Sequence, residues 1–227
     1  MSPAQALPEQ KILDFLKQKT VVETSGVGFI IGIEGIDAAG KRTQSSLLRS
    51  WLIRRGIRTE ILSFPDYTTH LGMELKKFLA GERDYSPHLS HILFAANRWE
   101  KRETIENYLS HGKVVIVDRY TESNLVYGVA NGLPLDWLVN LEEGLPKASL
   151  VLVLDAPTGK LFDRRGHLKD RYEGDLTLQE RARKTYLELA GRFGWVVINA
   201  DEGSQSVQMS IVKAVSQHLS VKTGQTI

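Results

Sequence analysis

Short apolar runs recur along the chain, each followed by a stretch with helical spacing. Phe29–Glu34 is the first, a compact run suited to a buried strand, and a glycine-bearing loop leads from it into a helical pattern over residues 41–55. Residues 60–64 predict a second strand, ended by Pro65. Helical segments follow over about 70–80 and 88–110, and residues 114–117, 150–154 and 195–198 are three further strand candidates. Strands apolar on both faces, separated by helices, predict an α/β domain: a parallel sheet covered on both sides.

Two flanking stretches read separately. Ile12, Leu13, Phe15 and Leu16 make a small apolar stripe after a Pro/Ala/Gln segment, which predicts a short helix in an N-terminal extension over residues 1–27. Val207, Ile211, Val215 and Leu219 recur every four residues and predict a closing helix. No repeat or low-complexity tract interrupts residues 28–227, so a single domain accounts for them. The length of 227 residues suits that assignment.

Composition mainly removes possibilities. With 42% hydrophobic and 25% charged residues the balance is that of a globular protein rather than a disordered chain. The net charge of +2 gives no reason to expect long nucleic acid or a membrane surface as partner, so local basic clusters matter more than the total. Cysteine is absent, which excludes disulfides, thiolate catalysis and Cys-ligated zinc. No basic start followed by an apolar run marks a secretory signal, and no stretch has the length of a membrane span. The expectation is a soluble, cytoplasmic protein.

The chemistry begins at the loop Gly35-Ile36-Asp37-Ala38-Ala39-Gly40-Lys41, between the first strand and the first long helix. Glycines there let backbone N–H groups turn toward an anion, and the helix N-terminus adds its positive dipole end. Lys41 can then reach the outer phosphates of a nucleoside triphosphate. The pattern asks for Ser or Thr next, yet Arg42 stands there and Thr43 follows. Two roles stay open for Arg42: added positive charge near the phosphates, or a solvent-facing position. An Asn-Lys-x-Asp guanine motif is absent, which argues against an ordinary GTPase.

Ligands of a parallel sheet sit outside the carboxyl ends of its strands. The third strand ends in Asp118-Arg119-Tyr120, so Asp118 is a candidate for Mg²⁺, directly or through water, and Arg119 for a bidentate phosphate contact. Phe94 and Arg98 are four apart and share a helix face. An aromatic plane beside a guanidinium suits a nucleobase, although spacing alone equally describes a core Phe and a solvated Arg. Residues 164–172 pack five basic groups into nine positions, counting His167, which suits either a solvated loop or a lid for phosphoryl transfer at about 163–176.

Taken in order, several segments resemble thymidylate kinases, from about residue 29 to residue 200. They are Gly-Ile-Asp-Ala-Ala-Gly-Lys, Phe64-Pro65-Asp66, the stretch from His91 through Asn97-Arg98-Trp99-Glu100, Asp118-Arg119-Tyr120, Gly144-Leu145-Pro146-Lys147 and Arg171-Tyr172-Glu173. Each is weak alone; the ordered set is specific. The resemblance implies a three-layer P-loop NTPase fold with a five-stranded parallel sheet, and a homodimer. It implies that ATP, with Mg²⁺, phosphorylates dTMP to dTDP on the way to dTTP. Asp37 would bind the 3′-hydroxyl of dTMP, Phe94 would stack on thymine, Arg98 would donate to its O4 and Arg119 would hold its phosphate. Asn124 and Tyr127 would line the sugar, Tyr172 and Gln179 would close over the nucleotide, and Pro65 and Tyr67 fall at substrate-facing positions. On the donor side, Gly35, Ala38, Ala39, Gly40, Lys41, Arg42 and Thr43 would cradle the phosphates and Ala200 would border adenine. Asp118, with Thr43, would serve the metal.

Two departures from the family pattern stand out. Many members have Arg where this chain has Tyr67. Members also place an extra catalytic arginine in the phosphate loop or in the lid; Ala38 and Ala39 leave the loop bare, which directs attention to Arg165 and Arg171, with Arg42 as a substitute. The alternatives are a kinase for another nucleotide acceptor and a kinase-like binding protein of weak catalysis.

Overall fold

A computed structural model of the chain describes residues 28–159 and 170–223, with side chains up to residue 219. The N-terminal stripe at Ile12–Leu16 and the basic residues Arg164, Arg165, His167 and Lys169 lie outside the described residues.

The strands are β1 (Phe29–Glu34), β2 (Thr59–Ser63), β3 (Val114–Asp118), β4 (Ala148–Asp155) and β5 (Val196–Asn199). They form one parallel sheet in the order β2-β3-β1-β4-β5. Every residue of β1 and β3 is buried, as continuous apolar runs require when helices cover both faces. The covering helices are α1 (Lys41–Ile53), α2 (His70–Leu79), α3 (Pro87–Trp99), α4 (Arg102–Ser110), α5 (Thr121–Ala130), α6 (Leu135–Glu142), α7 (Leu176–Phe193) and α8 (Ser204–Thr223). Val207, Ile211, Val215 and Leu219 of α8 are all buried in the main core. The five-stranded, three-layer architecture is that of the P-loop NTPases.

Register positions the site. Ile33 of β1 and Ser63 of β2 both pair with Asp118 of β3. The carboxyl ends of three adjacent strands are therefore level, and the loops after them rise along one rim.

Two local expectations needed revision. The helical pattern over 88–110 is two helices, because the chain turns at Glu100 and Lys101, where φ −104° and ψ 3° at Lys101 leave the helical range. No glycine or proline marks that break. The helices α5 and α6 were not anticipated. Nearly all of α5 is buried, including Thr121, Glu122, Ser123 and Asn124, so it has no polar face to create a periodic signal.

Gly72 shows how tightly the rim loops are packed. A Cβ built on it would lie 1.7 Å from the carbonyl oxygen of Asp66, in the loop after β2. Gly72→Ala must push α2 off that loop, so it should cost about 1–3 kcal/mol. The thermal midpoint should fall by several degrees, measured by circular dichroism; an unchanged midpoint would show that the loop yields freely.

Candidate active site

The phosphate loop needs glycine at two points for different reasons. Gly35 has φ 133°, and a Cβ there would sit 2.4 Å from the Leu154 carbonyl oxygen of β4. Gly40 caps α1 in the left-handed region, at φ 91°. Gly40 supplies no side-chain acceptor to the helix start and the first turn of α1 carries no acidic residue, so the helix itself offers nothing to offset its positive dipole end. Ala39 is buried beneath the loop, while Ala38, Arg42 and Thr43 are exposed and line the cavity beside it. Lys41 is buried and donates from Nζ to the Ile36 carbonyl at 2.8 Å. Burial, and then the charge of Arg119, pull its pKa down to about 8, against the pull of Asp37.

Across the rim, Arg119 takes the left-handed conformation, φ 64°, which is costly for a residue with a Cβ. The main chain on either side holds it there: Arg119 N donates to Ile33 O at 3.2 Å, and Tyr120 N to Glu34 Oε1 at 2.7 Å. Glu34 is fully buried, and its Oε2 also accepts from Ser123 Oγ at 2.5 Å and Tyr186 Oη at 2.8 Å. The Arg119 side chain consequently meets Asp37 in a close ion pair. Burial opposes its charge, but Asp37 outweighs that and holds its pKa well above the ordinary value.

Asp37 is the hub of this corner. Its Oδ2 accepts from Gln179 Nε2 at 2.8 Å and from Tyr127 Oη at 3.4 Å, and its N–H donates to Gln179 Oε1 at 3.2 Å. Gln179 Nε2 also donates to the Tyr172 carbonyl at 2.9 Å, and the Tyr127 and Tyr172 rings stack at 5.8 Å. Phe94 lies 6.0 Å from Tyr172 and 5.9 Å from the His91 ring. Below them Arg98 is buried in a fork with Glu142, donating from Nε to Oε2 at 3.0 Å and from Nη2 to Oε1. Asn124 donates to the same Glu142 Oε1 at 2.6 Å.

These groups surround one cavity of about 530 Å³. Its wall contains the phosphate-loop residues Asp37, Ala38, Gly40, Lys41, Arg42 and Thr43, together with Asp118 and Arg119. Pro65, Tyr67, Phe94, Arg98, Asn124, Tyr127 and Tyr172 lie in the same wall, as anticipated from sequence, with Asp170 and Glu173 beside them, whereas Gly35 and Ala39 do not line it. Asp118 is buried and its Oδ1 has no hydrogen-bond partner among the described residues. An acceptor without a donor beside a triphosphate loop fits Mg²⁺, and Thr43 presents a hydroxyl to the same space. Among the described residues no cluster of three or more His, Asp or Glu could hold a metal.

Other anticipated residues lie elsewhere. Gln179 is fully buried behind Asp37. Ala200 is buried after β5, its N–H on the Asp155 carbonyl at 2.7 Å, and does not line the cavity. Arg171 is not on the cavity wall either: it pairs with Asp84 at 2.5 Å, and its guanidinium lies 4.7 Å from the Phe78 ring centre. Arg165 lies outside the described residues.

Comparison with known proteins identifies the family. A family model described as thymidylate kinase matches residues 33–211, well over half of the chain. The chain belongs to the thymidylate kinase family. The thymidylate kinase of Arabidopsis thaliana is 36% identical over 188 residues, 83% of this chain and 71% of its own length. That of Homo sapiens is 36% identical over 187 residues, 81% of this chain and 88% of its own. A solved structure of thymidylate kinase from Candida albicans matches with a TM-score of 0.78 at 28% identity, covering 86% of this chain and 94% of that one.

Within this thymidylate kinase family chain, the Asn97-Arg98-Trp99-Glu100 stretch ties the loop after β2 to the end of α6. Asn97 accepts from Asp66 N at 2.8 Å and donates to Thr69 Oγ1 at 2.9 Å, fixing the loop after β2. Glu100 accepts from Thr69 Oγ1 at 2.6 Å, and Trp99 Nε1 donates to the Leu141 carbonyl at 3.0 Å. Sequence reasoning selected Arg98 from this stretch and missed Asn97; it also missed Glu34, His91 and Glu142. A polar residue at the end of an apolar run was the available signal for Glu34, and for the others none was evident beyond membership of a helix.

The position of Lys41 sets a pH dependence. Its charge, which would attract a triphosphate, is lost as pH rises through about 8. The ratio kcat/KM for ATP reports the free protein, so it should fall above that pH by about tenfold per unit. A profile flat to pH 9.5 would place Lys41 in a different environment.

Proposed function

We propose that the cavity along the rim is where the γ-phosphoryl group of ATP passes to the phosphate of dTMP, giving ADP and dTDP. The observation that carries this reading is that Lys41 and Arg119 line one cavity from neighbouring loops, with Asp118 in the same wall. In this reading the loop from Gly35 to Thr43 holds the triphosphate and Lys41 neutralises its outer oxygens. Arg119 orients the acceptor phosphate in line with it. Phe94 stacks on thymine, Arg98 donates to O4, and Asn124, Tyr127, Pro65 and Tyr67 enclose the sugar and phosphate. Asp37 takes the 3′-hydroxyl, Tyr172 and Gln179 close the site, and Ala200 borders adenine. Mg²⁺ held by Asp118, with Thr43, would supply charge neutralisation between the donor phosphates.

The acceptor oxygen is already anionic, so the residues need not remove a proton, and rate comes from positioning and electrostatic stabilisation. Burial pushes the Tyr127 phenol upward, Asp37 adding to the effect, so it remains a donor throughout. The lid arginine is Arg165 or Arg171; for Arg171 the role requires leaving Asp84. Family likeness extends the proposal to a cytoplasmic homodimer. Among the described residues no helix is long and apolar enough to cross a membrane.

The decisive assay couples ADP release to a panel of acceptors with ATP and Mg²⁺. dTMP should be the best substrate, ahead of dUMP and of unphosphorylated thymidine; equal turnover of all three would overturn the acceptor assignment. Lys41→Ala should lower kcat by about 10²–10³-fold. If Arg165→Ala and Arg171→Ala each retain near-normal kcat, the lid arginines are not catalytic. Arg42, exposed where the loop pattern has Ser or Thr, favours one second reading, a nucleotide binder of weak catalysis. Tight binding of ATP and dTMP in calorimetry without ADP release would support it.

A further inference from the structure

Glu142 ends α6 and is fully buried, yet it does not line the cavity. Both side chains that its carboxylate binds do. Arg98 meets it with Nε and Nη2, and Asn124 with Nδ2. Asn124 Nδ2 also donates to the His91 carbonyl at 3.3 Å, so the amide nitrogen is fully engaged and Oδ1 faces His91 Nδ1 at 2.7 Å. His91 must then carry its proton on Nδ1, leaving Nε2 to accept from Asn131 Nδ2 at 3.2 Å. Burial, with the charge of Arg98 nearby, pushes its pKa down to about 4, in keeping with a neutral ring.

The chain fixes Glu142 from outside. Trp99 Nε1 holds the Leu141 carbonyl, and Tyr120 Oη donates to the Pro146 carbonyl at 2.6 Å. Gly144, at φ 101°, brings the intervening turn against the Trp99 ring, where a Cβ would lie 2.8 Å from Cη2. With Nε and one Nη2 hydrogen engaged by Glu142, Arg98 keeps N–H donors on Nη1 and Nη2, and it lines the cavity. A guanidinium has no acceptor, so the edge it turns to the cavity can only donate.

We propose that Glu142 is a positioning residue for base recognition: it locks Arg98 so that a donor-only edge faces the base, selecting nucleotides with an oxygen at ring position 4. This rests on the reading above, in which Arg98 faces the base of dTMP. A cytosine nucleotide, with an amino group at that position, would set donor against donor.

The test compares kcat/KM for dTMP with that for its analogue lacking the 4-oxo group, 5-methyl-2-pyrimidinone deoxyribonucleoside monophosphate. The unmodified chain should prefer dTMP by about 30-fold or more, because the analogue leaves a buried donor unpaired. Glu142→Gln keeps the shape but sets a donor against Arg98. It should compress the preference to about threefold, with KM for ATP and kcat/KM for the analogue each changed by less than about threefold. Equal losses toward both acceptors, or an unchanged preference, would overturn the proposal. Should the variant fail to fold, the unmodified protein still decides: nitrogen-15 NMR should show a downfield, slowly exchanging Arg98 Nε–H before any nucleotide is added, and a fast-exchanging signal would overturn the lock. A chain that turns over neither acceptor refutes the thymidylate kinase reaction itself, whereas dTMP turnover with an unaltered Glu142→Gln preference refutes this inference alone.

Discussion

The site depends on a carboxylate that never reaches it. Glu34, at the end of β1, accepts the Tyr120 N–H and the hydroxyls of Ser123 and Tyr186. A buried carboxylate needs several donors to be tolerable, and here they come from the turn after β3, from α5 and from α7. Their convergence ties three elements to the central strand. It also keeps Arg119 in its left-handed conformation, from which the side chain reaches the phosphate loop. Without that anchor the backbone at Arg119 would relax to an ordinary conformation and its guanidinium would leave Asp37.

Charge at the rim is deliberately close. Lys41, Arg98 and Arg119 line the same wall as Asp37, Asp118, Asp170 and Glu173. Burial, with Asp37 and Glu173 adding to it, raises the Asp170 pKa to about 6 although the N–H groups of Tyr172 and Glu173 donate to it. Such an array is costly to assemble, and interior packing of the sheet supplies the compensation. A group arranged this way is already oriented when phosphates arrive, which is the condition under which electrostatic stabilisation is most effective.

The sheet was legible because β1, β3 and β4 are apolar on both faces, a pattern that few surface elements imitate. Boundaries were less so: the last strand is displaced by one residue from its apolar run, and α5 was invisible for want of a polar side. The same contrast runs through the site. Lys41, Asp118 and Arg119 announce themselves locally, by glycine spacing and by lying at strand ends. Glu34 and Glu142 do not, because their partners are 86 and 44 residues away in the chain. An acidic residue at the end of a helix, as Glu142 is, looks like any solvated one until the opposing arginine is seen. Arg171 illustrates the converse, since a basic residue in a promising segment is taken up by Asp84 on a neighbouring loop.

Asp37 belongs by sequence to the donor loop, between Gly35 and Lys41, and by contact to the acceptor corner, among Arg119, Tyr127 and Gln179. One short stretch of backbone is thus shared by both halves of the site. On the proposed assignment, a change that one nucleotide makes in that stretch acts on the other, and thermodynamic linkage makes the influence equal in both directions. Occupancy of the two halves would then be a joint property of the loop rather than two independent equilibria.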